Sequence, residues 1–425
     1  MKNIYHKARL NNGLRIISHV ISERHSAALG IWIYVGGRYE TSANKGISHF
    51  LEHILFKGTK KYSCRQLKES IEGIGGSLNG FTSEESTCYL VKVPASRINI
   101  GLSVLSEMVI NPTLPAQEIE KEKTVILEEL KMYKDLPQSY VYELLDELLW
   151  PNQPLGAPII GTVDSVRAID RKKLADFKEE HYTTSNIVVS ACGNIDYRQL
   201  ERGVEKIFSS LKSERLNTFT EAKEKQGRPG LKVFPKDTEQ THMALGFRSF
   251  RREHPLKHAL GLLHIILGGN MSSRLFNELR EKRGLAYEIG TLAKRFQDTG
   301  AFVVHAGIDN KKVSEAIQLI LKELKKTKDH LVTADEFRRA KEFYIGQLKL
   351  ALEDTLEYML WIGENTLMLG KTFSLDEIIA EVNRVDRADI REVARKVFID
   401  DNINLSLIGP LAGKENKIRQ GLYIG

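Results

Sequence analysis

The chain is predicted to be an α+β protein of two homologous domains, each a mainly antiparallel sheet packed with helices. Three observations predict this. Short identities recur at a constant spacing of 216: Ala28-Leu29-Gly30 as Ala244-Leu245-Gly246, Asp170-Arg171 as Asp386-Arg387, Asn186-Ile187 as Asn402-Ile403, and Gly193 as Gly409. Each half reads as strands followed by helices. Between the halves lies the polar stretch Lys212 to Gly230, with Gly227, Pro229 and Gly230. The expected organisation is a first domain at 1–212, a linker at 213–230 and a second domain at 231–425. A chain of 425 residues, 42% of them apolar, is long and apolar enough for two cores.

The elements follow in order. Met1-Lys2-Asn3-Ile4-Tyr5-His6-Lys7 turns polar and basic at once and has no apolar signal core. Ala27 to Val35 is the longest apolar run, about half a membrane span and rich in β-branched and aromatic residues, so it reads as a buried strand. Gly46-Ile47-Ser48 opens a helix with Leu51, Ile54 and Leu55 on its apolar side, and Gly58 ends it. Gly75 to Ser83 is a glycine-rich lead into the alternating strand Thr87 to Val93. Glu118 to Leu130 reads as a long amphipathic helix, with Val125, Ile126 and Leu130 at helical spacing and a break near Pro137.

The first of these helices carries His49-Phe50-Leu51-Glu52-His53. Residues four apart on a helix lie one above the other, so both imidazoles can face one metal ion. Glu52 would stand beside that ion without binding it. H-x-x-E-H is the inverted order of the commoner zinc-protease pattern. Catalytic zinc takes three protein ligands and leaves one position open. The Glu118–Leu130 helix offers Glu122 and Glu129, seven apart and on one face. By composition alone that helix is an acidic, solvated surface, a reading that suits Glu118, Glu120 and Glu128.

His49 to Thr59, read as His-Phe-Leu-Glu-His-Ile-Leu-Phe-Lys-Gly-Thr, resembles the signature of the pitrilysin/insulinase zinc peptidases, in the half-length branch that includes the mitochondrial processing peptidase and bacterial relatives. The resemblance continues through Trp150-Pro151, Pro154-Leu155-Gly156, Ile160-Gly161-Thr162 and Ser190-Ala191-Cys192-Gly193-Asn194, and covers nearly the whole chain. It implies one zinc held by His49, His53 and Glu129, which stands 76 residues after His53. It implies Glu52 as general base and Glu122 as support for the metal site. It makes the strand Thr87 to Val93 the sheet edge beside the zinc, to which substrate adds as an extra strand, and Asn79, in the lead before it, matches a position that contacts substrate backbone. In Phe276 to Tyr287, Arg280 and Tyr287 match a pair that contacts substrate and stabilises the oxyanion. A half-length chain with both parts implies a homodimer in which each copy's Arg280 and Tyr287 complete the other's site.

The second half has no H-x-x-E-H; aligning Glu336-Phe337 with Glu118-Ile119 sets Ala340 against Glu122 and Gln347 against Glu129. The metal site is therefore expected in the first domain alone, which leaves the second a different role. Lys and Arg number 62 against 55 Asp and Glu, a net +7 without aromatic–basic interleaving or a phosphate-cradling loop, so no nucleic-acid partner is expected. Cys64, Cys88 and Cys192 form no CxxC pair and suit free thiols in a reducing compartment. The expectation is a bacterial cytoplasmic zinc endopeptidase acting on peptides, with no membrane span. The rival readings are a non-catalytic assembly subunit and a peptide-binding chamber that keeps zinc for structure.

Overall fold

The computed structural model describes residues 5–425, so the expectation for the first residues of the chain lies partly outside the described residues. One sheet contains β1 (Tyr5–Arg9), β2 (Arg15–Val20), β3 (Ser26–Ile33), β4 (Ser77–Thr82), β5 (Thr87–Pro94) and β6 (Ile187–Gly193), in the order β1-β2-β6-β3-β5-β4. The other contains β7 (Gly230–Pro235), β8 (Gln240–Ser249), β9 (Ala286–Arg295), β10 (Gly300–Asp309) and β11 (Asn404–Gly409), in the order β7-β11-β8-β10-β9. Only β2–β6 and β7–β11 are parallel; the other neighbours are antiparallel. Without β1, the two sheets have the same order and the same strand directions. The α+β class and the duplication stand as predicted.

Three of the recurring pairs do the same work twice. Asp170 and Asp386 are N-caps of the helices Arg171–His181 and Arg387–Val397, accepting from Lys173 N and Asp389 N. Arg171 Nε donates to Leu114 O at 2.9 Å, and Arg387 Nε donates to Val332 O at 2.7 Å. Gly30 and Gly246 give room to a helix: a Cβ would lie 2.6 Å from Met359 Sδ at Gly30 and 2.9 Å from Leu145 at Gly246.

Those helix contacts correct the linear division. Helix Pro137–Leu149 packs on β8 and β11, whereas helix Thr355–Leu369 packs on β2, β3 and β6. One compact unit therefore takes the chain up to Leu130, Pro158–Thr220 and Lys349–Ser374. The other takes Lys131–Ala157, Glu221–Leu348 and Leu375–Gly425. The expected linker is irregular but tied down. Asn217 Nδ2 donates to Tyr34 O at 2.7 Å and Arg38 lies 3.9 Å over Phe219 in the first unit. Ala222 N donates to Asp298 in the second. The three cysteines are free. Among the described residues no helix is long and apolar enough to cross a membrane.

Candidate metal centre

The motif lies on the helix Ile47–Leu55, as its pattern predicts. Phe50, Leu51, Ile54 and Leu55 are fully buried and hold it on the core. Gly46 enters the helix at φ +86°, in the left-handed region, and a Cβ there would lie 2.6 Å from Ile160 O. His49 and His53 face away from the apolar side, with ring centroids 4.4 Å apart.

The second component is the helix Ala116–Asp135. Its buried stripe is Ile119, Glu122, Ile126 and Leu130, spaced three, four and four apart. Glu122 is the single charged member of that stripe. Val125, expected on the apolar face, is 49% exposed instead, because the stripe passes one residue to its side. The helix stops at Asp135, and Pro137 starts the next one.

The two helices bring His49, His53 and Glu129 together, with one donor atom of each within 4.8 Å of the others. Glu129 Oε2 lies 3.8 Å from His49 Nε2 and 3.7 Å from His53 Nε2. Four-coordinate zinc with bonds of about 2.0–2.1 Å has donors about 3.4 Å apart, so a small closure would suit the ion. The His53 tautomer fits as well. Glu122 Oε1 sits 2.9 Å from His53 Nδ1, which leaves Nε2 for a metal. Burial, with His53 close by, lowers the His49 pKa to about 3, so its ring is neutral and able to donate a lone pair.

The carboxylates divide by environment. Burial raises the pKa of Glu52, with His53 and Thr82 opposing and Glu129 adding to the rise. Thr82 Oγ1 donates to Glu52 Oε2 at 3.1 Å. Burial also raises Glu129. For Glu122 burial pushes upward too, but the hydrogen bonds from His53 and Lys57 outweigh it and the pKa falls. Lys57, in the turn just after the helix, brings its Nζ 2.6 Å from Glu122 Oε2. Burial works against a proton on His53, yet Glu122, Glu52 and Glu129 together raise its pKa. Three carboxylates around two imidazoles make a site suited to a cation.

Lys57 and Thr82 had no assigned role in the sequence; spacing could have found Lys57, whereas Thr82 depends on the sheet. Strand β4, which carries it, is the sheet edge; the resemblance gave that place to the strand Thr87–Val93, but β5 is paired on both sides, with β3 and β4, and the glycine-rich lead before it forms the edge strand instead. Gly80 lets β4 approach: a Cβ would lie 3.3 Å from Glu52 Oε1 and 3.2 Å from Phe56. Asn79 is exposed on that strand, and its side-chain oxygen accepts from Gly80 N at 2.8 Å. Arg280 and Tyr287 belong to the other compact unit. They do meet each other: the guanidinium lies 5.1 Å over the Tyr287 ring and 4.9 Å over Phe276.

Residues 15–163 match the family described as Insulinase (Peptidase family M16), and residues 168–344 match the Peptidase M16 inactive domain. A protein of Bacillus subtilis named an uncharacterized zinc protease is 38% identical over 94% of this chain and 97% of its own length. One from Rickettsia bellii with the same description is 34% identical over 96% and 98%. Among solved structures, a protease from Helicobacter pylori superposes with a TM-score of 0.89 at 24% identity, covering 96% of this chain and 99% of its own. That likeness speaks for the fold. With relatives this similar along its whole length, the chain belongs to the insulinase (peptidase M16) family.

Proposed function

We propose that the chain is a zinc-dependent endopeptidase acting on extended, unfolded peptides or leader segments. The observation that carries this reading is the cluster His49, His53 and Glu129, with Glu52 held beside it by Thr82. The three ligands would hold one ion per chain. When bound, zinc supplies Lewis acidity, which lowers the pKa of water at the ion to about 7 and polarises a carbonyl. Glu52, with its raised pKa, takes the proton of the attacking water and returns it to the departing amine. Glu122 keeps His53 in the tautomer that presents Nε2. The open edge of β4 accepts an extended peptide as an added strand, which favours unfolded substrates of many sequences.

Arg280 and Tyr287 serve as donors toward substrate in this reading, supplied across a homodimer. Mixing a Glu52→Gln subunit with an Arg280→Ala/Tyr287→Phe subunit tests that part, because activity should return only in the mixed dimer. The main test is hydrolysis of a quenched fluorescent peptide library by the purified chain. Activity should vanish with a chelator and return with zinc. A zinc-loaded protein that cleaves nothing in the library would defeat the peptidase reading.

A further inference from the structure

The metal-binding helix is capped from a distance. Its N-cap, Gly46, has no side chain to accept from the first turn. Glu40 does so instead, accepting from Gly46 N through Oε2 and from Ser48 N through Oε1, both at 2.8 Å. Glu40 is 2% exposed. Gripping two amides with two oxygens fixes the rotation of the helix about its axis as well as its start. Rotation decides the site, because each residue turns about 100° and a small slip swings His49, Glu52 and His53 together.

The segment that leads into Glu40 is itself anchored to the turn that follows the Thr82 strand. Gly37 N donates to Ser83 O at 3.2 Å and Arg38 N to Glu84 O at 2.8 Å. Arg38 Nη1 is paired with Glu85 Oε1 at 2.7 Å, both groups buried. These partners form the turn between β4 and β5, and β4 carries the Thr82 that binds Glu52. At Gly36 a Cβ would fall 2.1 Å from Ser83 O, so only glycine permits this approach. The segment from Gly36 to Glu40 therefore holds the hairpin that aims Thr82 and the helix that aims Glu52.

We propose that Glu40 is a positioning residue for the metal centre, setting the rotation of the His49–His53 helix against the β4–β5 hairpin through its two bonds to Gly46 N and Ser48 N. The proposal rests on the zinc reading above. In Glu40→Gln one acceptor oxygen replaces two, and an NH2 group is turned toward a backbone N–H. Zinc affinity, measured by chelator competition, should fall about tenfold, the scale seen when supporting contacts behind metal ligands are lost. Peptide turnover should fall in kcat with KM little changed, and amide exchange at Ser48 and His49 should quicken in metal-free protein.

Val204→Ala, a core truncation in the same unit, supplies the comparison at a similar loss in Tm. It should leave zinc affinity within about twofold of the parent, since it touches none of the supporting contacts. Glu40→Asp keeps a carboxylate one methylene short and should recover part of the affinity; it replaces the Gln variant if that fails to fold. Unchanged zinc affinity in Glu40→Gln, or an equal loss in Val204→Ala, overturns the proposal. If the parent chain takes up no zinc, the zinc reading has failed, and amide exchange alone judges Glu40: unchanged exchange in Glu40→Gln overturns it.

Discussion

Helix Ala116–Asp135 and helix Ala334–Ala351 follow the same anchor in their respective repeats, a carbonyl held by Arg171 in one and by Arg387 in the other. In the register those anchors set, Glu122 corresponds to Ala340 and Glu129 to Gln347. Glu122 and Ala340 are equally buried, 4% and 3% exposed. The scaffold is therefore satisfied by a methyl group at this point. A buried carboxylate costs several kcal/mol of desolvation unless it is paired, and the first repeat pairs it twice, with His53 and Lys57. The comparison teaches that the acid belongs to the site and the helix belongs to the fold.

The largest expected effect comes from altering the proposed general base in the first repeat. Glu52→Gln should keep zinc, measured by metal analysis, while hydrolysis falls by about 10²–10⁴, the usual contribution of a general base. Full activity in that variant would sink the assignment. Next in size, Glu122→Ala imports the second repeat's residue. It should weaken zinc binding by about 10–100-fold, with the fold intact by circular dichroism. An unchanged zinc affinity would mean that Glu122 only fills space.

Smaller effects test what the repeats share. Asp170→Ala and Asp386→Ala each remove an N-cap and should each cost about 1 kcal/mol in denaturant unfolding. A large difference between them would show that the caps are not equivalent. The smallest effect is confined to the second repeat. Arg274, with Thr333, holds the pKa of Glu336 at about 2, against an ordinary value of 4.5. A depressed pKa stabilises the fold above pH 4.5, and that contribution is lost as pH falls toward 2. Partial exposure and salt reduce its size. Glu336→Gln should thus lower Tm at pH 7, and the gap from the parent should narrow as pH falls below 4.5 and close only toward pH 2. A gap independent of pH would count against the ion pair.

Much of the site was legible in sequence because it is local. His49, Glu52 and His53 fall within one turn and a half of helix, so their relation follows from helical geometry alone. Glu129 needed the family spacing, since no local rule brings a residue 76 positions away to His53. Charge pattern alone read Glu122 as part of a solvated face; only the packing of its helix shows it as a buried partner of His53 and Lys57. Val125 was misplaced for the same reason, because a one-residue rotation of the buried stripe leaves composition unchanged.

The fold divides in the same way. The repeat of Ala28-Leu29-Gly30 as Ala244-Leu245-Gly246 announced two copies, and strand order confirms them. It did not announce that Gly30 receives Met359 and Gly246 receives Leu145, each from the opposite half of the sequence. By itself the sequence determined the duplicated α+β architecture and the donor groups on one helix, because periodicity and helix geometry act over a few residues. Tertiary structure alone decided which helix covers which sheet, which carboxylates are buried, and that Glu40 caps the His49–His53 helix. Those outcomes depend on contacts between distant segments, whose side chains must compete for the same space and the same hydrogen bonds.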